Sequence, residues 1–266
     1  MKFITNVLSI SSIALFSIGI RAQDISSLSS IDAPAIVTIA DVAEMKLSGK
    51  MSYYNESETQ KFFKLSGNLP KPGANVISNA EEGWFGIFGF TRGGYVKDDE
   101  EIDADALLKE LKRGNEESLV ERAKQGLKPL YLVGWYIPPR YNKQLKRLEW
   151  ATKLKDDQDN VGINFTTRIL GRSGHMSIVL VASPEDIDRA IESFDAALRD
   201  FDYVSGERYA EFKTGDKTAA YGLGALITGG AIAVASSKGG FKLLWVLVVA
   251  AFGSVIAFFK KILGIK

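Results

Sequence analysis

Two features of this sequence lie closest to chemistry: a single histidine, His175, and an acidic run, Asp98-Asp99-Glu100-Glu101-Ile102-Asp103-Ala104-Asp105. With one histidine, every catalytic triad or proton shuttle must pass through His175. Strand alternation sets it on one face with Ser173 and Ser177 only if no bulge intervenes. No Gly-x-Ser-x-Gly elbow presents either serine as a nucleophile, so an exposed or half-buried strand residue is the better account of His175. In the acidic run, Asp98, Asp99, Asp103 and Asp105 are the candidate metal ligands, because hard cations such as Ca²⁺ need several oxygens. The run lacks the Asp-x-Asp-x-Asp-Gly order closed by a glutamate. A solvated loop entering a helix, whose dipole favours acidic residues at its start, explains the same residues.

Other constellations are weaker. Arg140 to Lys155 gathers six basic residues with Tyr141 and Trp150, superficially a nucleic-acid or lipid patch, but alternating charge is the ordinary outer face of a hairpin. The glycines of Gly83-Trp84-x-Gly86-x-x-Gly89 lie within an aromatic strand, not at a strand-to-helix turn, so they do not make a dinucleotide fingerprint. There is no cysteine, which excludes disulfides, thiol catalysis and thiolate metal sites. No cofactor is indicated.

The elements that position these residues sit between two apolar ends. Residues 1–22 have Lys2, an apolar stretch to Ile20 and a small Ala22, the pattern of a secretory signal peptide. The last fifty residues hold six lysines and no acidic side chain, with apolar runs at 219–235 and 241–259. The second run, nineteen residues at about 1.5 Å each, is roughly the thickness of a hydrocarbon layer. Residues 217–266 therefore read as a C-terminal membrane anchor. One span at 241–259 and a two-helix hairpin both suit the charges, and hydrophobicity favours the hairpin. All 32 carboxylates fall between Asp24 and Asp216, which gives the body a net charge of −7 against +6 for the tail. An acidic body disfavours nucleic acid, and a basic tail suits anionic headgroups.

Residues 23–34 read as a flexible leader and 35–216 as the exported domain. Ala35-Ile-Val-Thr-Ile-Ala40 predicts a strand, with Asp41 capping a helical turn to Leu47 and a helix over 53–65. Trp84 to Phe90 predicts a strand closely packed through its glycines, resumed at Tyr95-Val96 after Arg92-Gly93-Gly94. Asp103 is placed as the cap of a helix reaching Gln125. Leu130 to Ile137 and Arg147 to Leu154 flank a long loop containing Pro138-Pro139. Val161 to Leu170 and His175 to Ala182 flank Gly171-Arg172-Ser173-Gly174, the clearest hairpin. Ser183-Pro184-Glu185-Asp186 opens a helix whose apolar positions run from Ile187 to Phe201. The fold class expected is α+β, a largely antiparallel sheet with helices on one face. Its core draws on Trp84, Phe88, Trp135, Trp150, Ile163, Ile169, Ile178 and Leu180.

Several segments in order, Val37-Thr-Ile-Ala-Asp-Val-Ala43, Gly94-Tyr-Val-Lys-Asp-Asp99, Ile102-Asp-Ala-Asp-Ala-Leu-Leu108, Pro138-Pro-Arg-Tyr141, Arg168-Ile-Leu-Gly-Arg172, Arg208-Tyr-Ala-Glu-Phe212 and Lys217-Thr-Ala-Ala-Tyr-Gly222, resemble the uncharacterised bacterial membrane-anchored proteins grouped as domain of unknown function 2167. The resemblance implies an exported domain at the inner membrane, facing the periplasm, and brings no activity, cofactor or catalytic residue with it. The expectation is a non-enzymatic binding module whose partners are the bilayer, through 217–266, and an envelope protein or small ligand. The alternative is a carboxylate- or metal-dependent hydrolase acting on envelope material, which needs acidic groups to converge in a cleft.

Overall fold

The computed structural model describes residues 28–65, 71–124 and 129–229. They form a mixed α+β structure dominated by antiparallel strands and divided into two compact units. The first unit takes the chain up to Gly89 with Leu180–Val204, and the second takes Phe90–Val179 with the chain from Ser205.

The first unit begins with β1 (Ile31–Asp32), β2 (Ala35–Ile39), β3 (Ala43–Leu47) and β4 (Met51–Tyr54), followed by α1 (Glu56–Leu65), β5 (Ala74–Asn79) and β6 (Trp84–Thr91). Hydrogen bonding orders four of its strands β1-β4-β5-β6. Residues 28–34 are not the flexible leader expected. Ile31 and Asp32 pair with Tyr53 and Ser52, and the Asp32 carboxylate accepts from Ser52 Oγ at 2.7 Å. Nor does Asp41 cap a helix. Ala40 and Asp41 both have positive φ, 52° and 58°, and turn the chain tightly so that β3 runs back along β2, Val37 opposite Met45. Side chains at 43, 45 and 47 are buried and those between are exposed, a period of two that a helix cannot supply. The helix expected over 53–65 starts at Glu56, because Tyr53 and Tyr54 belong to β4.

The remaining chain adds α2 (Ala104–Lys124), β7 (Tyr131–Asn142), β8 (Arg147–Lys155), β9 (Val161–Leu170) and β10 (His175–Ala182), then α3 (Ile187–Ala197), β11 (Phe201–Tyr203) and α4 (Leu223–Thr228). Of these, α3 and β11 belong to the first unit, where β11 completes a small sheet ordered β11-β3-β2. Ser183 makes the expected reciprocal contact, accepting from the Asp186 N–H at 3.2 Å and donating to its carboxylate at 2.9 Å. That contact closes a turn, and the α-helix begins at Ile187. Ile187, Ala190, Ile191, Phe194 and Ala197 bury as the spacing requires, whereas Phe201 opens β11 instead of ending the helix. Phe194 meets Trp84 edge-on at 5.4 Å, and the Trp84 Nε1–H donates to Ser193 Oγ at 2.9 Å. The glycines of β6 are not there for close packing at Gly89, since a Cβ would find only a carbonyl at 3.9 Å.

In the second unit β7, β8 and β9 pair in order, with β10 beside β9. The stretch Pro138 to Asn142, expected as loop, is strand. β7 runs on to Asn142 through three register shifts, and as a strand bonded on one side among the described residues it tolerates prolines that lack an N–H. Tyr95 and Val96 do not resume β6. Tyr95 instead makes a lone parallel bridge with Thr218. Leu148 and Trp150 of β8 and Leu170 of β9 share one face and pack with Leu107 and Leu111 of α2 and with Leu223, Leu226 and Ile227 of α4. Trp150 and Ile169 are buried as expected, whereas Trp135 and Ile163 are only partly so.

Burial of α4 places the start of the expected anchor with the folded unit, and Gly229, at φ 81°, ends that helix. The signal peptide at 1–22 and the apolar run at 241–259 lie outside the described residues. Among the described residues no helix is long and apolar enough to cross a membrane.

Candidate functional site

The acidic run does not gather into one site. Asp98 is drawn into the second unit, where its carboxylate meets three donors: Lys146 Nζ at 2.8 Å, Tyr141 Oη at 2.9 Å and Tyr209 Oη at 3.0 Å. Tyr209 shares its one proton with the Val96 carbonyl at 2.9 Å, and its ring stacks on Tyr95 at 4.3 Å beneath the Lys146 ammonium. Burial pushes Asp98 up, but the hydrogen bonds from Lys146, Tyr141 and Tyr209 outweigh it and leave the carboxyl below its usual range. Burial, with the neighbouring carboxylate, pushes both tyrosine hydroxyls well up. A carboxylate ringed by donors and paired to an ammonium is a structural hub. Asp103 caps α2, its Oδ1 accepting from the Ala106 N–H at 2.9 Å, Asp105 lies in the first turn of that helix, and Asp99 is in the segment before it. Glu100 turns back to accept from the Gly224 N–H of α4 at 3.1 Å. Among the described residues no group of three or more His, Asp or Glu side chains is placed to hold a metal.

His175 is 6% exposed, and its Nδ1 is buried without a partner. Burial first, and then the charge of Arg168, lower its pKa to about 3, so it is neutral near pH 7 and makes no hydrogen bond to either flanking serine. The Arg140–Lys155 cluster is largely consumed locally: Arg140 and Arg147 both reach Glu149, Lys146 reaches Asp98, and Lys155 reaches Asp159.

A cleft of about 450 Å³ opens elsewhere in the second unit, lined by Arg92, Gly94, Arg172, Ser173, Gly206, Glu207, Asp216 and Lys217. Three chain segments build it. The Gly94 N–H donates to the Ser173 carbonyl at 3.0 Å, the Tyr95 N–H to Lys217 at 2.8 Å, and the Arg172 N–H to Glu207 at 2.8 Å. Glycine is required where they touch. A Cβ on Gly174 would lie 2.0 Å from the Thr91 carbonyl oxygen, and Gly94, at φ +99°, would press one 2.7 Å from the Lys217 carbonyl. Arg172 grips Asp216 with a two-pronged contact, Nε to Oδ2 at 2.6 Å and Nη2 to Oδ1 at 2.7 Å. That hydrogen bonding, helped by the Lys213 N–H, lowers the Asp216 carboxyl to about 2. Glu207 accepts a short hydrogen bond from Ser173 Oγ, and Arg92 Nη1 donates to both at 3.2 Å.

This arrangement orients charge. Ser173 has the Glu207 carboxylate as its acceptor, and no imidazole reaches it. The cleft volume lies within the range of small-molecule sites, about 300–1,000 Å³. Sequence reasoning did not assemble these residues, because they are separated by up to 125 positions. The available signal was the pair of arginine–glycine turns, Arg92-Gly93-Gly94 and Gly171-Arg172-Ser173-Gly174.

A family model described as "Protein of unknown function (DUF2167)" matches residues 32–260. The chain belongs to this family. No curated protein matches the sequence. Among solved structures, the solution structure of PsbP from the cyanobacterium Synechocystis sp. PCC 6803 is similar at 12% identity, covering 66% of this chain and 97% of that one with a TM-score of 0.36.

Proposed function

We propose that this member of DUF2167 is a non-enzymatic binding module of the bacterial envelope, exported to the periplasm, held at the inner membrane by its C-terminal apolar tail, and engaging a protein partner or small ligand through the second unit. One observation carries the binding reading: a cleft of small-molecule size whose two arginines are held in place by carboxylates. Fixed guanidinium groups recognise a polar partner at little ordering cost. The signal-like start and the apolar, acid-free tail support the location.

The test is affinity capture of the full-length protein from mild-detergent membranes, beside the Arg92→Glu/Lys217→Glu variant, whose changes fall on exposed cleft side chains. A stoichiometric partner retained by the native chain and lost by the variant supports the reading. Equal recovery from both places binding away from the cleft, and no partner or ligand with either overturns the module. Protease added to spheroplasts should digest the body of the protein; full protection there would refute a periplasmic location.

A further inference from the structure

A second polar locus lies in the second unit, away from the cleft, on the helix-covered face of its sheet. Strand alternation puts Asn164, Thr166 and Arg168 of β9 on one face, and the register sets Thr152 opposite Asn164, Trp150 opposite Thr166 and Leu148 opposite Arg168. The Arg168 guanidinium lies over the Trp150 ring, 5.1 Å from its centre, so the cation and the indole share one strip with Asn164.

The hydrogen-bond accounting on this strip does not close. Arg168 is partly exposed by area, yet its guanidinium is deep enough that burial lowers its pKa to about 10. Its one hydrogen bond is from Nη1 to the Thr167 carbonyl at 3.3 Å, and among the described residues no carboxylate pairs with it. A guanidinium carries five N–H donors in a planar fork, and arginine is rarely this buried without an anion. Asn164 is 3% exposed, and its Nδ2 has no acceptor. The fully buried free atom of the Asn164 amide is thus a donor, Nδ2, and it lies on the same strip as the under-bonded, positively charged Arg168 fork. A bridging water would serve the Asn164 amide, but it would leave the charge uncompensated. Thr152 and Arg168 keep part of their surface open, which gives access from solvent.

We infer that this face binds a small oxyanion, a carboxylate or phosphate group, gripped by the Arg168 fork and the Asn164 amide and flanked by the flat apolar ring of Trp150. The chemistry follows from the donor set: an acceptor-only, planar or tetrahedral anion matches a fork of N–H groups and excludes cations. The nearby His175 is neutral near pH 7 and leaves the charge of the site to Arg168.

The experiment uses full-length protein in mild detergent, titrated separately with inorganic phosphate and with acetate while sodium chloride holds the ionic strength constant. Binding is read by calorimetry and by thermal unfolding. We expect saturable binding of at least one anion, with a raised unfolding temperature, and the preferred probe tells phosphate from carboxylate. Arg168→Gln should abolish it, and Asn164→Ala should weaken it about tenfold, the worth of one hydrogen bond to a charged group. The proposal is overturned if neither anion binds, or if Arg168→Gln binds as the native chain does. Should Arg168→Gln fail to fold, Asn164→Ala decides: native affinity in that variant refutes the site.

Discussion

Removing the Asp98 carboxylate should loosen the second unit. In Asp98→Ala the ammonium of Lys146 loses its partner at 2.8 Å, and two tyrosine hydroxyls lose an acceptor at 2.9 and 3.0 Å. A hydrogen bond to a charged group is worth about 1.5–3 kcal/mol and the three are not additive. Asp98 is 22% and Lys146 33% exposed, so water replaces part of what is lost. A net cost of about 3 kcal/mol follows, or roughly 6–12 °C in unfolding temperature for a body of this size. Asp98→Asn, which keeps the shape and loses the ion pair, should cost about half as much. Thermal and urea unfolding of the full-length protein in detergent measure this. The sign with pH is also fixed. The folded pKa of Asp98 lies below 3.8, so its stabilisation is complete above the unfolded value and is lost as pH falls through the folded one. The difference between native and Asp98→Ala should therefore hold steady near pH 7 and shrink below about pH 4. A shift under about 2 °C at neutral pH, or a gap that stays constant into acid, would refute the hub.

Three further outcomes are expected. Gly174→Ala should destabilise by about 3 kcal/mol, since its Cβ would stand 2.0 Å from the Thr91 carbonyl oxygen and backbone has to move; unfolding within about 0.5 kcal/mol of native contradicts that close approach. His175→Leu should flatten the acid side of the stability profile. The folded imidazole, at about 3, stays neutral while the unfolded chain takes up a proton below about pH 6.5, so the native protein loses stability from there downward and the leucine variant does not. Parallel falls in unfolding temperature between about pH 7 and 4.5 would show that His175 is not the cause. Ala40→Gly should stabilise by about 0.5–1 kcal/mol by relieving an L residue at φ 52°, and a loss of urea midpoint would count against a strained turn.

Local pattern made some elements legible before any tertiary contact was known. The β9–β10 hairpin and the burial of Ile187, Ile191 and Phe194 follow from alternation and three- to four-residue spacing, and Asp103 caps α2 because a short acceptor just before a helix has an N–H to receive. Other readings failed where local signals were ambiguous. Asp41 suits a helix cap and a left-handed turn equally, and the choice went to the pairing of β2 with β3. Pro138 and Pro139 read as loop because a paired strand needs N–H groups, a need that vanishes on the side of β7 that no strand among the described residues bonds.

By itself the sequence determined composition, charge polarity, the absence of cysteine, a lone histidine and apolar ends, together with the α+β class and family membership that its ordered motifs carry. Tertiary structure alone decided the roles of the charged residues. Asp98 became a hub because Tyr141, Lys146 and Tyr209 arrive from 43 to 111 positions away. The same holds for Arg172 with Asp216, 44 positions apart, and for Arg92 with Glu207, 115 apart. A charged side chain looks alike in sequence whether it is solvated, paired or stranded. Its pKa and its chemistry are set by what lies within a few ångströms, and long-range folding alone supplies those neighbours.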